Sequence, residues 1–240
     1  MDSHCSRNRG RRGGGYGLKV ILFGASGMVG QGVLRECLID PSVVQVQPIV
    51  RNPIGRQDAK LTELVHKNFF DYSPVEPRLT GYDACFYCAG PSSAGMTEEN
   101  YHHAIYDMTL AAATTLVRLS PAMTFIYVSG AGTDSTEKGR TMWARVKGKT
   151  ENALLRLPFK AAYMFRPGVI QPLHGITSNT ASYRVLYTIT SPLLPLLRWL
   201  LPQYVTTTEL LGRAMIRVAQ NGYPKRILET RDINQATLPL

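Results

Sequence analysis

The sequence predicts an α/β protein with three layers, α/β/α, around a doubly wound parallel sheet, and a small cap near the C-terminus. Two observations predict it. Apolar runs of strand length alternate with helical periodicities from Leu18 to Arg166, the pattern of successive β-α-β units with right-handed crossovers. The first run, Val20 to Phe23, also breaks into Gly24-Ala25-Ser26-Gly27-Met28-Val29-Gly30. Met28, Val29, Val33, Leu34, Cys37 and Leu38 then recur at helical spacing. Strand, glycine turn and helix in that order form a dinucleotide-binding unit. Gly24 permits the sharp turn, Gly27 admits a pyrophosphate, and Gly30 lets the helix pack closely on the strand. The helix start at Met28 and Val29 offers N–H groups and a positive dipole end to phosphates, and the Ser26 hydroxyl can add a bond. A glycine-rich turn of some other α/β protein is the alternative.

Each element follows in order. Strand one is 18–23 and helix one 28–39. Strand two is 43–50, and a short strand, 63–66, leads to Phe69-Phe70-Asp71. Strand four is 82–89, followed by a helix over 98–119. Strand five is 123–129, a helix covers 139–157 before Pro158, and strand six is 161–166. From Pro167 to Tyr204 proline, aromatics and leucine replace the alternation, which reads as a cap rather than another β-α unit. Thr206-Thr207-Thr208-Glu209 reads as a capping box for a helix carrying Leu210, Leu211, Ala214, Met215 and Val218, and 226–230 as an edge strand.

At 240 residues, 44% hydrophobic and 18% charged, residues 18–240 are expected to form one domain. The net charge of +10 is uneven, because Arg7, Arg9, Arg11 and Arg12 face only Asp2 in the first seventeen residues. That Arg/Gly segment is expected to be a disordered tail, either a solvated extension or a weak RNA contact. The remaining charge, about +7, suits an anionic ligand such as a phosphorylated dinucleotide, with nucleic acid as the rival. Four cysteines in this length are no disulfide framework, which points to a reducing, cytoplasmic setting. Cys85 and Cys88 are three apart within a strand, so they face opposite sides rather than forming a redox pair. No signal peptide or transmembrane segment is expected; Ile189 to Leu201 is short, charged at Arg198 and broken by Pro192 and Pro195.

In doubly wound sheets ligands gather at the carboxyl ends of the strands. That rule brings Gly24–Gly30, Arg51, Asp71, Ala89, Gly90, Ser129 and Arg166-Pro167-Gly168 to one edge. An NAD site places an acid about twenty residues after the last glycine; here Arg51 stands there, with Arg56 nearby. A guanidinium suits a 2′-phosphate, so NADP (NADPH) is the expected cofactor, the alternative being a surface arginine. Asp71 is either an acceptor for the adenine amino group or the start of a turn. His102-His103 reads as a solvated helix turn, and no metal-ligand set is visible. The stretch Tyr183–Tyr204 reads as core or a lid over an apolar substrate, or as a contact with a second copy in a homodimer or with a membrane surface.

Strand five ends in Val128-Ser129-Gly130, and Trp143 and Lys147 follow four apart on one helix face. With the glycine turn and Phe165-Arg166-Pro167-Gly168, these residues make the chain resemble the short-chain dehydrogenase/reductase superfamily. The similarity is to its atypical, epimerase-like branch, and within it to the oxidoreductase-like group around the human Tat-interacting protein and its bacterial relatives. The resemblance runs from Leu18 to the helix after Thr208 and implies a Rossmann fold, nicotinamide cofactor binding and a small-molecule carbonyl substrate.

It also implies three roles: a serine that polarises the carbonyl, a tyrosine that passes the proton, and a lysine that holds the ribose. Ser129 and Lys147 match the first and last, although Lys147 also reads as one solvated basic residue among several. Trp143 stands at the tyrosine position, and an indole cannot serve as a general acid or base near neutral pH. Either another donor (Tyr101, Tyr163, Tyr183, His102 or His103) acts, or the protein is a catalytically impaired cofactor-binding sensor.

Overall fold

The computed structural model describes residues 17–176 and 203–238. Most of the predicted tail and the cap segment 177–202, with Tyr183 and the leucine-rich run, lie outside the described residues. Seven strands form one parallel sheet: β1 (Leu18–Phe23), β2 (Val43–Val50), β3 (Leu64–Val65), β4 (Ala84–Tyr87), β5 (Thr124–Val128), β6 (Ala161–Arg166) and, at the far edge, Ile227–Glu229. Their spatial order places β4 beside β1 and the Ile227–Glu229 strand beside β6. The chain therefore runs outward from β1 to β3, returns, and proceeds the other way. The switch falls between β1 and β4, where such sheets leave a crevice at the carboxyl ends. The doubly wound three-layer fold is as expected, and the 226–230 edge strand is present.

Strand alternation divides the core. Val20 and Leu22 face one layer and Ile21 and Phe23 the other, all of them buried. The first layer holds α1 (Met28–Ile39) and the helix Thr208–Asn221; the second holds a 3₁₀ turn (Ser73–Arg78), the helix ending at Leu119, and Met142–Arg156. The helix predicted over 98–119 is α2 (Glu98–His102) and α3 (Met108–Leu119), continuous through a π turn at His103–Asp107. We number Met142–Arg156 α4 and Thr208–Asn221 α5. Cys85 and Cys88 fall in opposite layers.

A second, two-stranded parallel sheet pairs β7 (Val169–Gln171) with β8 (Val205–Thr207). The expected capping box is corrected by one residue. Thr207, not Thr206, caps α5, its hydroxyl accepting the Leu210 N–H at 3.0 Å. Glu209 thus falls at the second helical position and turns to His174 and Arg213 instead.

The first layer depends on close approach between α1 and α5. A Cβ on Gly32 would lie 2.5 Å from Thr208 Cβ, and one on Gly212 would lie 2.7 Å from Glu36 Cγ. Overpacking of this kind costs about 1–3 kcal/mol. Gly32→Ala and Gly212→Ala should each lower stability by that order in urea unfolding, with the double variant worse. Neutral single variants would mean that the two helices do not touch.

Candidate active site

The glycine turn is held by backbone contact. Gly24 has φ +81°, and a Cβ there would stand 2.7 Å from the Cys88 carbonyl; one on Gly30 would fall 2.0 Å from the Gly24 carbonyl oxygen. Helix α1 is thus pressed onto the end of β1, and the ends of β1 and β4 meet backbone to backbone. Gly27 differs. It caps α1 with extended backbone and no side chain, and a Cβ there would meet only the Gly24 oxygen, at 3.4 Å. Ser26 is exposed, and its carbonyl accepts from Gln31 Nε2 at 2.9 Å.

These residues line a groove of about 330 Å³ at the switch point, with Arg51, Phe69, Ala89 and Gly90 along its walls. The structure therefore brings together the turn, Arg51, Ala89 and Gly90. The groove suits a dinucleotide on its own features: a side-chain-free helix cap at Gly27, a cation, and an aromatic ring. Phe69 is held by Phe23, edge-on with ring centroids 6.1 Å apart.

Beyond Arg51 a second cavity of about 780 Å³ opens, lined by Ser26, Gln31, Arg35, Arg51, Asn52 and Arg56 among others. Three guanidiniums around one space suit a phosphate monoester. Arg35 was not anticipated from the sequence. The available signal was Gln31 and Arg35 four apart, hence on one face of α1. Arg35 pairs with Glu36, whose carboxylate is 2% exposed and also accepts from Arg213 Nε at 3.1 Å.

Three of the expected site residues are engaged within the protein. Asp71 spends its carboxylate on a turn: Oδ1 accepts from Ser73 N at 2.9 Å and from Ser73 Oγ at 2.7 Å, which holds its pKa below the usual range. The turn alternative is the one the geometry favours. Arg166 is 9% exposed and faces inward. Its Nε donates to both oxygens of Glu151, at 3.0 and 3.1 Å, while Nη2 reaches Glu151 and Ser135. A fully buried carboxylate needs such a partner, and this arginine supplies it from the interior. The Ser129 hydroxyl, expected at the sheet edge, also turns inward. It donates to Glu151 Oε1 at 2.5 Å and lies 3.2 Å from the Phe165 carbonyl oxygen. Pro167 and Gly168 stay at the end of β6, where the Pro167 carbonyl accepts the Ala131 N–H and Gly168 N donates to Thr230.

Lys147 lies at the tip of β5, its Nζ donating to the Ser129 carbonyl. Burial lowers its pKa to about 8, against a smaller opposing effect of the Glu151 carboxylate. Trp143 shares its face of α4, packs on the cluster of Tyr101, Ile105 and Val146, and brings its ring to Gly132.

The other proton-donor candidates sit elsewhere. Tyr101 is 2% exposed within that cluster. The Tyr163 hydroxyl accepts from Tyr223 N at 3.1 Å in the opposite layer. His102 ends α2 and His103 opens the π turn, and both reach Asp107, at 3.6 and 2.9 Å. The wider turn lets His102, five positions before Asp107, share that partner with His103, four before it.

Breaking the Glu151–Arg166 pair should be expensive, since the remaining charge stays buried; such losses run about 3–5 kcal/mol. Arg166→Met is expected to cost that order in urea unfolding and Arg166→Met/Glu151→Leu much less. A loss under ~1 kcal/mol in the single variant would mean that water reaches the carboxylate.

No family model matches the chain. Protein fmp52, mitochondrial, of Emericella nidulans is 27% identical over 157 residues, covering 63% of this chain and 66% of that protein. Protein HTATIP2 of Rattus norvegicus is 25% identical over 154 residues, covering 63% and 62%. The matches span just under two thirds of these relatives' own length.

Among solved structures, a short-chain dehydrogenase/reductase family oxidoreductase from Burkholderia thailandensis superposes with a TM-score of 0.63. It is 13% identical and covers 92% of this chain and 94% of that one. The Bordetella bronchiseptica enzyme WbmF in complex with NAD+ gives 0.62 at 13% identity, over 91% and 76%. These structural likenesses establish a Rossmann fold, as the sequence resemblance implied. No described helix is long and apolar enough to cross a membrane.

Proposed function

We propose that this chain, an atypical short-chain dehydrogenase/reductase-like protein, is an NADP(H)-dependent oxidoreductase or epimerase-like enzyme acting on a small apolar carbonyl compound. Arg51 carries the reading. It stands at the end of β2, where an NAD site has an acid, and lines both the switch-point groove and the arginine-rich cavity. The Gly24–Gly30 turn would hold the pyrophosphate on the N–H groups of Met28 and Val29. Arg51, with Arg35 and Arg56, would take the 2′-phosphate; Ala89 and Gly90 would flank the adenosine side. Lys147 would reach the ribose hydroxyls, and Pro167 and Gly168 would supply backbone contacts on the nicotinamide side. The bound cofactor supplies hydride chemistry; the chain supplies orientation, charge and a proton.

Trp143 supports a second reading, a cofactor-binding sensor without turnover, because an indole N–H does not titrate. We further propose that residues 18–240 act as one domain with 167–204 covering the substrate. The three described cysteines are all free, which suits a reducing compartment. Cytoplasm is the placement proposed, and the mitochondrial names of the fungal relatives supply the rival that cell fractionation would reveal.

NADPH is expected to bind more tightly than NADH. Arg51→Ala should remove about 1–3 kcal/mol of that preference, the worth of a charged hydrogen bond, measured by cofactor fluorescence titration. Equal affinities in the unmodified protein would reject the cofactor assignment. Gly27→Val is a clean companion, since space around that Cβ is open on the protein side. It should leave the melting temperature nearly unchanged and abolish binding of both cofactors; retained binding would remove the glycine turn from the site.

A further inference from the structure

The oxidoreductase reading, on which this inference rests, leaves the proton without a source once an indole replaces the phenol. Among the described residues, Tyr101 is 2% exposed, Tyr163 lies in the opposite layer, and His102 and His103 turn to Asp107. The loop after β5 offers something else. A Cβ on Gly130 would meet nothing nearer than Lys147 Nζ, at 4.0 Å, its chain neighbours aside, and one on Gly132 would lie 3.5 Å from the Trp143 ring. Two glycines on one loop thus leave bare backbone, with an ammonium near the first and an indole beside the second, and the space over this stretch forms a trough.

Lys147 Nζ is fixed there by its bond to the Ser129 carbonyl. Ser129 in turn is anchored through its hydroxyl to Glu151, one helical turn beyond Lys147. An ammonium has three N–H bonds, so this anchor leaves others for the open side of Gly130.

We propose that Lys147 is itself the proton-transfer residue of this site, delivering its ammonium proton to the oxygen of an apolar carbonyl compound seated in the trough against Trp143. The carbonyl carbon accepts a hydride, with its electron pair, from the reduced nicotinamide dinucleotide. The carbonyl oxygen takes the proton as the C=O double bond becomes C–OH. An alcohol, the oxidised dinucleotide and a neutral amine result, and the amine regains its proton from water. Trp143 then acts as a wall that favours an apolar substrate.

The electrostatic setting suits this role. Glu151 on α4 is the carboxylate that opposes loss of the proton, but Arg166 on β6 neutralises it from the other side, and Glu229 at the sheet edge lies beyond Arg166. The Tyr127 phenol on β5 is buried and held neutral. Burial prevails and brings the lysine to about 8, near the pH at which a general acid is most effective.

The test uses the full chain with NADPH and 4-nitrobenzaldehyde as probes, comparing wild type, Lys147→Arg and Lys149→Arg. Arginine keeps the charge but does not release a proton near neutral pH. Lys147→Arg should retain NADPH binding within about tenfold while kcat falls by about 10²-fold or more; Lys149→Arg, altered on the helix exterior, should match wild type. The wild-type rate should decline as pH rises through about 8. Independently of turnover, NMR of lysine-labelled apoprotein should show one ammonium titrating near that pH, and Lys147→Arg should lack it.

Wild-type turnover in Lys147→Arg, no low-titrating lysine, or no wild-type turnover despite bound NADPH would each overturn the proposal. Failure of the wild type to bind either dinucleotide would instead overturn the oxidoreductase reading itself, and this inference with it.

Discussion

A carboxylate with no access to water must be surrounded by donors, and Glu151 obtains them from separate parts of the chain. Arg166 arrives from β6 with a two-pronged contact, and Ser129 arrives from the end of β5. Arg166 also reaches Ser135 in the loop after β5, and Glu229 at the sheet edge. One buried ion pair therefore sets the relative positions of two strand tips, a loop and α4. The Ser129 carbonyl that receives the Lys147 ammonium is fixed as a by-product. A buried pair contributes little net stability against an apolar substitute. Its value here is geometric, since it fixes a charged side chain at the edge of the sheet without placing that side chain on a loop.

The loop itself is held by equally short contacts. A Cβ on Gly148 of α4 would fall 1.8 Å from the Asp134 carbonyl oxygen, and Asn152 donates to the Ser135 carbonyl at 2.9 Å. Asp134 gathers Thr136 and the Gly139 N–H around its carboxylate, which keeps that group ionised below the usual range. The floor between Lys147 and Trp143 is thus prearranged by backbone packing, and little ordering is left for a ligand to impose.

The architecture was legible in the sequence because parallel strands buried on both faces write continuous apolar runs, and β1, α1, β2 and β6 have their expected limits. The glycine turn was legible for a similar reason: backbone contact admits only one residue type. Side-chain direction was not. Ser129 occupies the expected place on its strand, yet which way its hydroxyl turns depends on a carboxylate twenty-two positions later, and no local pattern records that pairing. Arg166 misleads in the same way, since a guanidinium beside a strand end reads alike whether it meets a ligand or a buried acid. Arg35 went unnoticed because its neighbours in the cavity come from the loop after β2, beyond the reach of helix periodicity. The π turn escaped because its extra residue leaves the spacing of Ile105, Ala112 and Leu116 nearly helical.

The seating of Gly30 on the Gly24 carbonyl has a genetic consequence. In a side-chain core, a damaging enlargement at one position can be relieved by a smaller neighbour, and compensating pairs accumulate between lineages. At Gly30 the obstructing atom belongs to the main chain, and every possible replacement for Gly24 carries the same carbonyl. No second substitution at the point of contact can restore the fit. A selection for revertants of Gly30→Ala should therefore yield chiefly true back-mutation or distant changes that raise stability overall, and covariation between positions 24 and 30 should be absent.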